Sequence, residues 1–156
     1  MNITRETVTI RSLGDELAGV LFLPEAHTPA PVIVVSHGAG EFKENYFELC
    51  SLLAEKGIAA LAMDMHGHGA SQGGRHHVYM KEWVADIRAA IDFLTGHPRV
   101  DGGKIGAFGL SSGGTAILEA AMEDKRIKTL ITLDATVRDS LPLVAGLFLK
   151  AFVAIG

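Results

Sequence analysis

The stretch KIGAFGLSSGG, residues 104–114, joins an apolar segment to a glycine-rich turn. Its first part predicts a buried strand, and the alanine-rich residues 112–122 predict a helix. Between them, residues 109–113 match G-x-S-x-G with Ser111 at the centre. A strand that becomes a helix within about two residues forces its central residue into a strained conformation and exposes that side chain. This stretch therefore predicts an α/β fold that presents Ser111 at the edge of a sheet.

The rest of the chain also alternates between strands and helices. Two stretches of alternating polar and apolar residues come first, and apolar, β-branched stretches separated by helical periodicity follow. The predicted strands are 6–12, 16–24, 31–38, 57–65, 104–110 and 126–135, and the predicted helices are 45–56, 80–95 and 112–122. This order predicts a mostly parallel sheet with helices on both faces. On the polar face of the second helix, Arg88 and Asp92 have the spacing of an ion pair.

Composition limits the classes of protein to which the chain can belong. Its 156 residues, 48% of them hydrophobic, are enough for one globular domain. The net charge of −4 disfavours nucleic acid as a partner. A single cysteine, Cys50, and an N-terminus without an apolar signal segment favour a reducing, cytoplasmic location. The apolar run 141–156 contains Lys150 and is too short to predict a membrane span.

Ligands of such sheets bind at the carboxyl ends of the strands, so the loops 36–42, 64–75, 109–114 and 134–140 are the ones of interest. The first contains SHGAG, residues 36–40. Acyl transfer develops negative charge on a carbonyl oxygen, and preorganised N–H groups must meet it. We expect these donors to be the N–H groups of Ala39 and Ser112. Glycines support both loops, and His37 is expected to hold its loop by hydrogen bonds; the glycines are Gly38, Gly40, Gly109 and Gly113.

Three motifs together resemble the α/β-hydrolase superfamily: HGAG at 37–40, DMHGHGASQG at 64–73 and GLSSGG at 109–114. The middle motif is similar to that family's D-x-R-G-x-G-x-S loop, with His66 where arginine is usual. The resemblance covers residues 6–135 and is closest to dienelactone-hydrolase-like esterases and to serine peptidases related to prolyl oligopeptidase. It implies a three-layer sandwich and hydrolysis of esters, or of small acyl or peptide substrates, through a Ser111 acyl-enzyme.

The histidine that serves as the family's catalytic base has no counterpart after Ser111 in this sequence. A serine needs a base to accept its proton, and the family places an acid and then a histidine after the nucleophile. All seven histidines precede Ser111, and Asp134 is the candidate acid. Six of the usual eight strands are predicted, so residues 1–156 are interpreted as one C-terminally incomplete domain. A partial gene product, a split half and an inactive homologue each explain this, and the sixth strand would then be an exposed edge for self-association.

These motifs also have alternative interpretations. The G-x-S-x-G stretch could be a plain turn in which Ser112 caps the helix. His66 or His68 could replace the missing base, and the clustered histidines could bind a metal, although their spacing supplies no fixed ligand set. No phosphate-binding loop is present, which disfavours a nucleotide. We expect neither a cofactor nor a metal. The alternative function is a non-catalytic module that acts in binding or association.

Overall fold

The computed structural model describes residues 2–26 and 28–135, and the run 141–156 lies outside them. Each predicted strand and helix in this part of the chain is present, with ends that differ by a few residues. The strands are β1 (Ile3–Ser12), β2 (Asp15–Pro24), β3 (Ala30–Ser36), β4 (Ala59–Met63), β5 (Val100–Leu110) and β6 (Ile127–Leu133). The helices are α1 (Phe47–Glu55), which a 3-10 turn at Lys43–Tyr46 precedes, α2 (Met80–Thr95) and α3 (Ser112–Glu123).

The strands form one sheet in the order β1-β2-β4-β3-β5-β6. The hairpin β1–β2 is antiparallel, and β2 runs antiparallel to β4. The other three pairs, β3 with β4, β3 with β5 and β5 with β6, are parallel. This arrangement confirms the predicted mostly parallel sheet. It also brings the carboxyl ends of β3, β4, β5 and β6 to one edge, where the loops of interest begin.

Helices cover both faces of the sheet, as the sequence predicts. Buried side chains of α2 and α3 share one apolar cluster with Leu21 and Leu61. On the opposite face, Cys50 and Ala54 of α1 pack with Phe22 and with smaller residues of the central strands. Successive residues of β2 thus point to opposite layers, which is the period-two alternation of a strand buried on both faces.

The predicted ion pair between Arg88 and Asp92 is wrong. Arg88 pairs instead with Glu123, with 3.2 Å between Nη1 and Oε2, and Asp92 pairs with Arg126, with 2.7 Å between Oδ1 and Nη2. Both partners lie at or just after the end of α3, which packs beside α2. The end of the neighbouring helix and the turn after it therefore offer each charge a partner that the spacing within α2 could not reveal.

Strand β6 has one neighbour, β5, within the described residues. Its side chains Ile131 and Leu133 are each about half exposed, at 50% and 51%. No helix in the described ranges has both the length and the apolar character that crossing a membrane requires.

Candidate active site

Ser111 stands alone between the end of β5 and the first residue of α3. Its φ is 50° and its ψ is −119°, a combination that residues with a Cβ seldom adopt. Its N–H donates to the Leu133 carbonyl at 2.8 Å, and its own carbonyl accepts from the Thr115 N–H at 3.0 Å. Ser111, and not Ser112, occupies the N-cap position, and its side chain makes no capping hydrogen bond. The hydroxyl therefore has no part in holding the turn.

Gly109 and Gly113 allow the strand and the helix to approach closely. A Cβ on Gly109 would lie 2.5 Å from the Gly113 carbonyl oxygen. A Cβ on Gly113 would lie 2.4 Å from the His37 carbonyl oxygen and 2.6 Å from that of Ser36. No side chain fits at either position, so the first turn of α3 packs directly against the end of β3.

The loop after β3 lies beside Ser111. A Cβ on Gly38 would be 3.6 Å from Ser111 Cβ, which is ordinary van der Waals contact. Gly40 has a φ of 75°, a left-handed conformation that glycine adopts readily. The N–H groups of Ala39 and Ser112 donate no hydrogen bond to another residue of the described ranges. Ser112 is the first residue of α3, where backbone N–H groups have no partner within the helix.

His37 is fully buried, and both of its ring nitrogens serve the loop. Nε2 accepts from the Met65 N–H at 3.0 Å, so the ring proton belongs on Nδ1, which donates to the Gly38 carbonyl at 2.7 Å. Burial lowers the pKa of His37, and the neutral ring is the form that these two bonds require. Neither nitrogen is directed at the Ser111 hydroxyl.

A buried ion pair organises the loop after β4. Asp64 is fully buried, and its Oδ2 accepts from Lys43 Nζ at 2.6 Å and from the Ala70 N–H at 2.9 Å. Its Oδ1 accepts from the Lys43 N–H at 2.9 Å. A Cβ on Gly69 would lie within 2.4 Å of the three atoms of the Asp64 carboxylate. The first residue of the DMHGHGASQG motif therefore connects that loop to the segment after the SHGAG loop.

His66, at the position where the resemblance leads one to expect arginine, bridges two carboxylates. Its Nδ1 lies 2.5 Å from Asp86 Oδ1, its Nε2 lies 3.4 Å from Asp15 Oδ2, and its N–H donates to Asp86 Oδ2 at 2.9 Å. Burial raises the pKa of the Asp86 carboxyl. Nδ1 of His68 contacts the His66 carbonyl at 3.0 Å. These rings support the loop, and within the described ranges no histidine is hydrogen-bonded to Ser111.

Asp134, the candidate acid, directly follows β6. It is exposed, has a φ of 50°, and comes after the residue whose carbonyl accepts the Ser111 N–H. The chain thus brings Asp134 next to the Ser111 turn, but no histidine ring pairs with it among residues 2–26 and 28–135. Within those ranges, no group of three or more histidine, cysteine or acidic side chains is arranged to hold a metal ion.

Two features of the site were not predicted from the sequence. One is the Lys43–Asp64 pair, and the other is Glu41, whose Oε2 accepts from the Gly38 N–H at 2.8 Å and from Tyr46 Oη at 2.7 Å. The available signal was the charged segment EFKENY, residues 41–46, directly after the SHGAG loop. Its position suggests a role at the same edge, but side-chain partners cannot be read from spacing.

A strand, a strained serine and a helix beside a glycine-rich loop define a site of the α/β-hydrolase fold. Comparison with known families agrees with this geometry. The family model described as serine aminopeptidase, S33, matches residues 27–155. The chain therefore belongs to this family of α/β hydrolases.

Individual proteins of known sequence or structure are also similar to this chain. The chain is similar to thiohydrolase aneE of Aspergillus aculeatus, with 33% identity over 134 residues that cover 82% of this chain and 42% of the relative. The structure of hypothetical protein PA2218 from Pseudomonas aeruginosa matches with a TM-score of 0.83 and 27% identity, covering 97% of this chain and 52% of that one. A dienelactone hydrolase-like promiscuous phosphotriesterase, P91, from metagenomic libraries matches with a TM-score of 0.76 and 27% identity, covering 92% and 64%.

In each of these matches, the chain covers only part of the other protein. The chain spans less than half the length of the curated relatives, 42% of the first and 44% of the second. The solved structures likewise extend beyond the part that this chain covers. The likeness to P91 confirms the predicted resemblance to dienelactone-hydrolase-like proteins.

Proposed function

We propose that this chain carries the nucleophile half of a serine hydrolase that acts on carboxylic esters or small acyl substrates. The observation that carries the proposal is the strained Ser111 turn. A non-glycine residue at φ 50° is costly, and its hydroxyl does not cap the helix that it precedes. Such strain, held by the surrounding contacts with no structural use of the side chain, is typical of a catalytic nucleophile.

The Ala39 and Ser112 N–H groups form the oxyanion hole in this proposal. Ser111 Oγ attacks the carbonyl carbon, and the C–O bond that forms pushes the carbonyl electron pair onto oxygen, where the two donors meet it. The Ser111 proton passes to a general base and then to the leaving alcohol or thiol. Water, activated by the same base, then attacks the acyl-enzyme and releases the acid and Ser111.

A histidine from outside residues 1–156 supplies this base in the proposal. The rings of His37 and His66 are engaged at both nitrogens by other partners, which argues against either of them. The names of the relatives, a thiohydrolase and a phosphotriesterase, are consistent with attack on an acyl or phosphoryl centre. Asp134 remains the acid candidate because it adjoins the Ser111 turn, and a downstream carboxylate is the alternative.

A fluorophosphonate probe tests the nucleophile. In the complete gene product we expect labelling at Ser111, which Ser111→Ala abolishes and the matched Ser112→Ala variant retains. Residues 1–156 alone should label far more slowly, since the base would be absent. A folded complete product that is never labelled at Ser111 would instead support a non-catalytic binding module. Equal labelling of the 156-residue chain would place the base within it and contradict the external histidine.

Self-association through β6 belongs to the second candidate function. The half-exposed side chains Ile131 and Leu133 lie on a strand with one described neighbour, which is the usual setting for strand pairing between chains. Sedimentation of the 156-residue chain and of an Ile131→Lys variant measures this. A concentration-dependent dimer that the lysine removes supports association, and a monomer at all concentrations argues against it.

A further inference from the structure

The carboxylate of Glu41 and its backbone hold both polar groups of Gly38. Glu41 Oε2 accepts from the Gly38 N–H at 2.8 Å, and the Glu41 N–H donates to the Gly38 carbonyl at 3.3 Å. One residue therefore fixes the loop from both sides of Gly38. The contact also occupies the Gly38 N–H, so the next donor along the loop is Ala39.

The direction of the Ala39 N–H follows from the carbonyl of Gly38. These two groups belong to one planar trans peptide and point in opposite directions. The Gly38 carbonyl is held by His37 Nδ1 at 2.7 Å and by the Glu41 N–H at 3.3 Å. Because these bonds fix the peptide plane, they also direct the Ala39 N–H to the other side of the loop.

Tyr46 holds the carboxylate in place. Its hydroxyl donates to Glu41 Oε2 at 2.7 Å, and its ring is buried with its centroid 6.0 Å from that of Phe108. Burial, and then the hydrogen bond to Glu41, raise the pKa of Tyr46, so its hydroxyl remains a donor at neutral pH. The acceptor that reaches Gly38 is therefore itself anchored to the 3-10 turn that precedes α1.

The Glu41 carboxylate and Ser111 both lie close to Gly38. A Cβ on Gly38 would lie 2.9 Å from Glu41 Oε2 and 3.6 Å from Ser111 Cβ. A shift of the carboxylate would therefore disturb the part of the loop that lies beside the nucleophile. We propose that Glu41 is a positioning residue that, with Tyr46, sets the Gly38–Ala39 peptide for oxyanion binding. This inference rests on the proposed function.

The test compares Glu41→Ala with Glu41→Gln in the complete gene product. The amide oxygen of glutamine can accept both hydrogen bonds, while alanine accepts neither. We expect Glu41→Ala to lower kcat for an ester about 10- to 100-fold with KM within about threefold, since misplacing one oxyanion donor costs less than removing it. Glu41→Gln should stay within about threefold of wild type. Glu48→Ala, which removes an exposed carboxylate on α1, is the matched control and should leave kcat unchanged.

The outcomes separate this inference from the proposed function. If the fluorophosphonate probe does not label wild type at Ser111, the proposed function fails whatever the Glu41 variants do. If wild type is labelled but Glu41→Ala keeps its kcat, the positioning role is wrong. An equal loss in Glu41→Gln and Glu41→Ala would show that charge matters and not geometry, which also overturns it.

If Glu41→Ala does not fold, the Tyr46→Phe variant tests the positioning role of Glu41 instead. We expect its kcat to fall about 3- to 10-fold with KM unchanged, because the carboxylate loses one anchor and keeps the Gly38 N–H. The amide resonance of Gly38 supplies a readout that needs no turnover. Where Glu41→Ala folds, the Gly38 amide proton should move upfield and exchange faster in it, and should do neither in Glu41→Gln. An unmoved Gly38 amide in folded Glu41→Ala would overturn the proposal. If that variant does not fold, an unchanged kcat in Tyr46→Phe would overturn it.

Discussion

The N–H of Ser111 donates a hydrogen bond of 2.8 Å to the carbonyl of Leu133. This bond joins the strained turn after β5 to the last residue of β6. The main chain of the neighbouring strand thus helps to hold Ser111 at a φ of 50°. On the other side, the first turn of α3 packs on the end of β3. The conformation of one residue is therefore maintained by three elements.

Gly113→Ala tests the packing of α3 on β3. The new methyl group would lie 2.4 Å from the His37 carbonyl oxygen, which is backbone and cannot move aside cheaply. We expect a loss of about 3 kcal/mol in the free energy of unfolding, measured by denaturant titration. Gly96→Ala is the control, because its Cβ would meet only ordinary contacts, the nearest at 3.7 Å. A loss in Gly113→Ala as small as in the control would contradict the close approach.

Asp64→Ala tests the buried pair that connects two loops. Lys43, whose side chain is 10% exposed, would keep its charge without its main partner. Removing one member of a buried pair typically costs about 3–5 kcal/mol, and we expect thermal and denaturant unfolding to show that loss. Arg11→Ala breaks the exposed pair with Glu16 and should cost at most about 1 kcal/mol. Equal effects of the two variants would argue against a special role for Asp64.

The lowered pKa of His37 predicts an acid-sensitive loop. In the unfolded chain a histidine binds its proton near pH 6.5, whereas folded His37 resists protonation because burial disfavours the charge. The unfolded state therefore binds more protons below pH 6.5, and stability falls as the pH drops from there to the folded pKa. The slope is about 1.4 kcal/mol per pH unit for one proton. Denaturant titrations of wild type and His37→Gln between pH 5 and 8 measure it, and parallel curves would refute this assignment.

Cys50 is predicted to be inert in the folded protein. Its side chain is fully buried, and burial raises the pKa of its thiol to about 12. We expect no reaction with a thiol reagent at pH 8 until the protein is denatured. Above about pH 8.5 the unfolded chain loses this proton and the folded one does not, so stability falls as the pH rises. Cys50→Ala should remove that decline, and rapid labelling of the native thiol would contradict the prediction.

Much of the fold was predictable because it depends on local pattern. The apolar stripe of α2 and the β-branched run of β3 identify their elements without knowledge of any neighbour. The turn around Ser111 was predictable for a similar reason, since the spacing of Gly109 and Gly113 expresses a steric requirement. The ends of the elements were less predictable: β5 begins at Val100, whereas the sequence pattern predicts a start at residue 104.

Partners between elements were not predictable from spacing. Arg88 has an acid one turn along its own helix, yet it pairs with Glu123 because α3 lies alongside. The sequence leaves His66 open as a replacement base, but its ring lies between Asp86 and Asp15. The hydrogen bonds of Glu41 to Gly38 and Tyr46 likewise required coordinates. Each of these contacts depends on the distance between side chains after folding.

The sequence by itself determined the alternation of strands and helices and the serine turn, because periodicity and glycine spacing reflect short-range sterics. Its three motifs also indicated the family by resemblance. It also showed that no histidine follows Ser111 within residues 1–156. Only the tertiary structure decided which groups meet at the sheet edge: Leu133 with Ser111, His37 with Gly38, and Glu41 with the loop between them. The physical reason is that hydrogen bonds and ion pairs act over about 3 Å in space, whatever the separation along the chain.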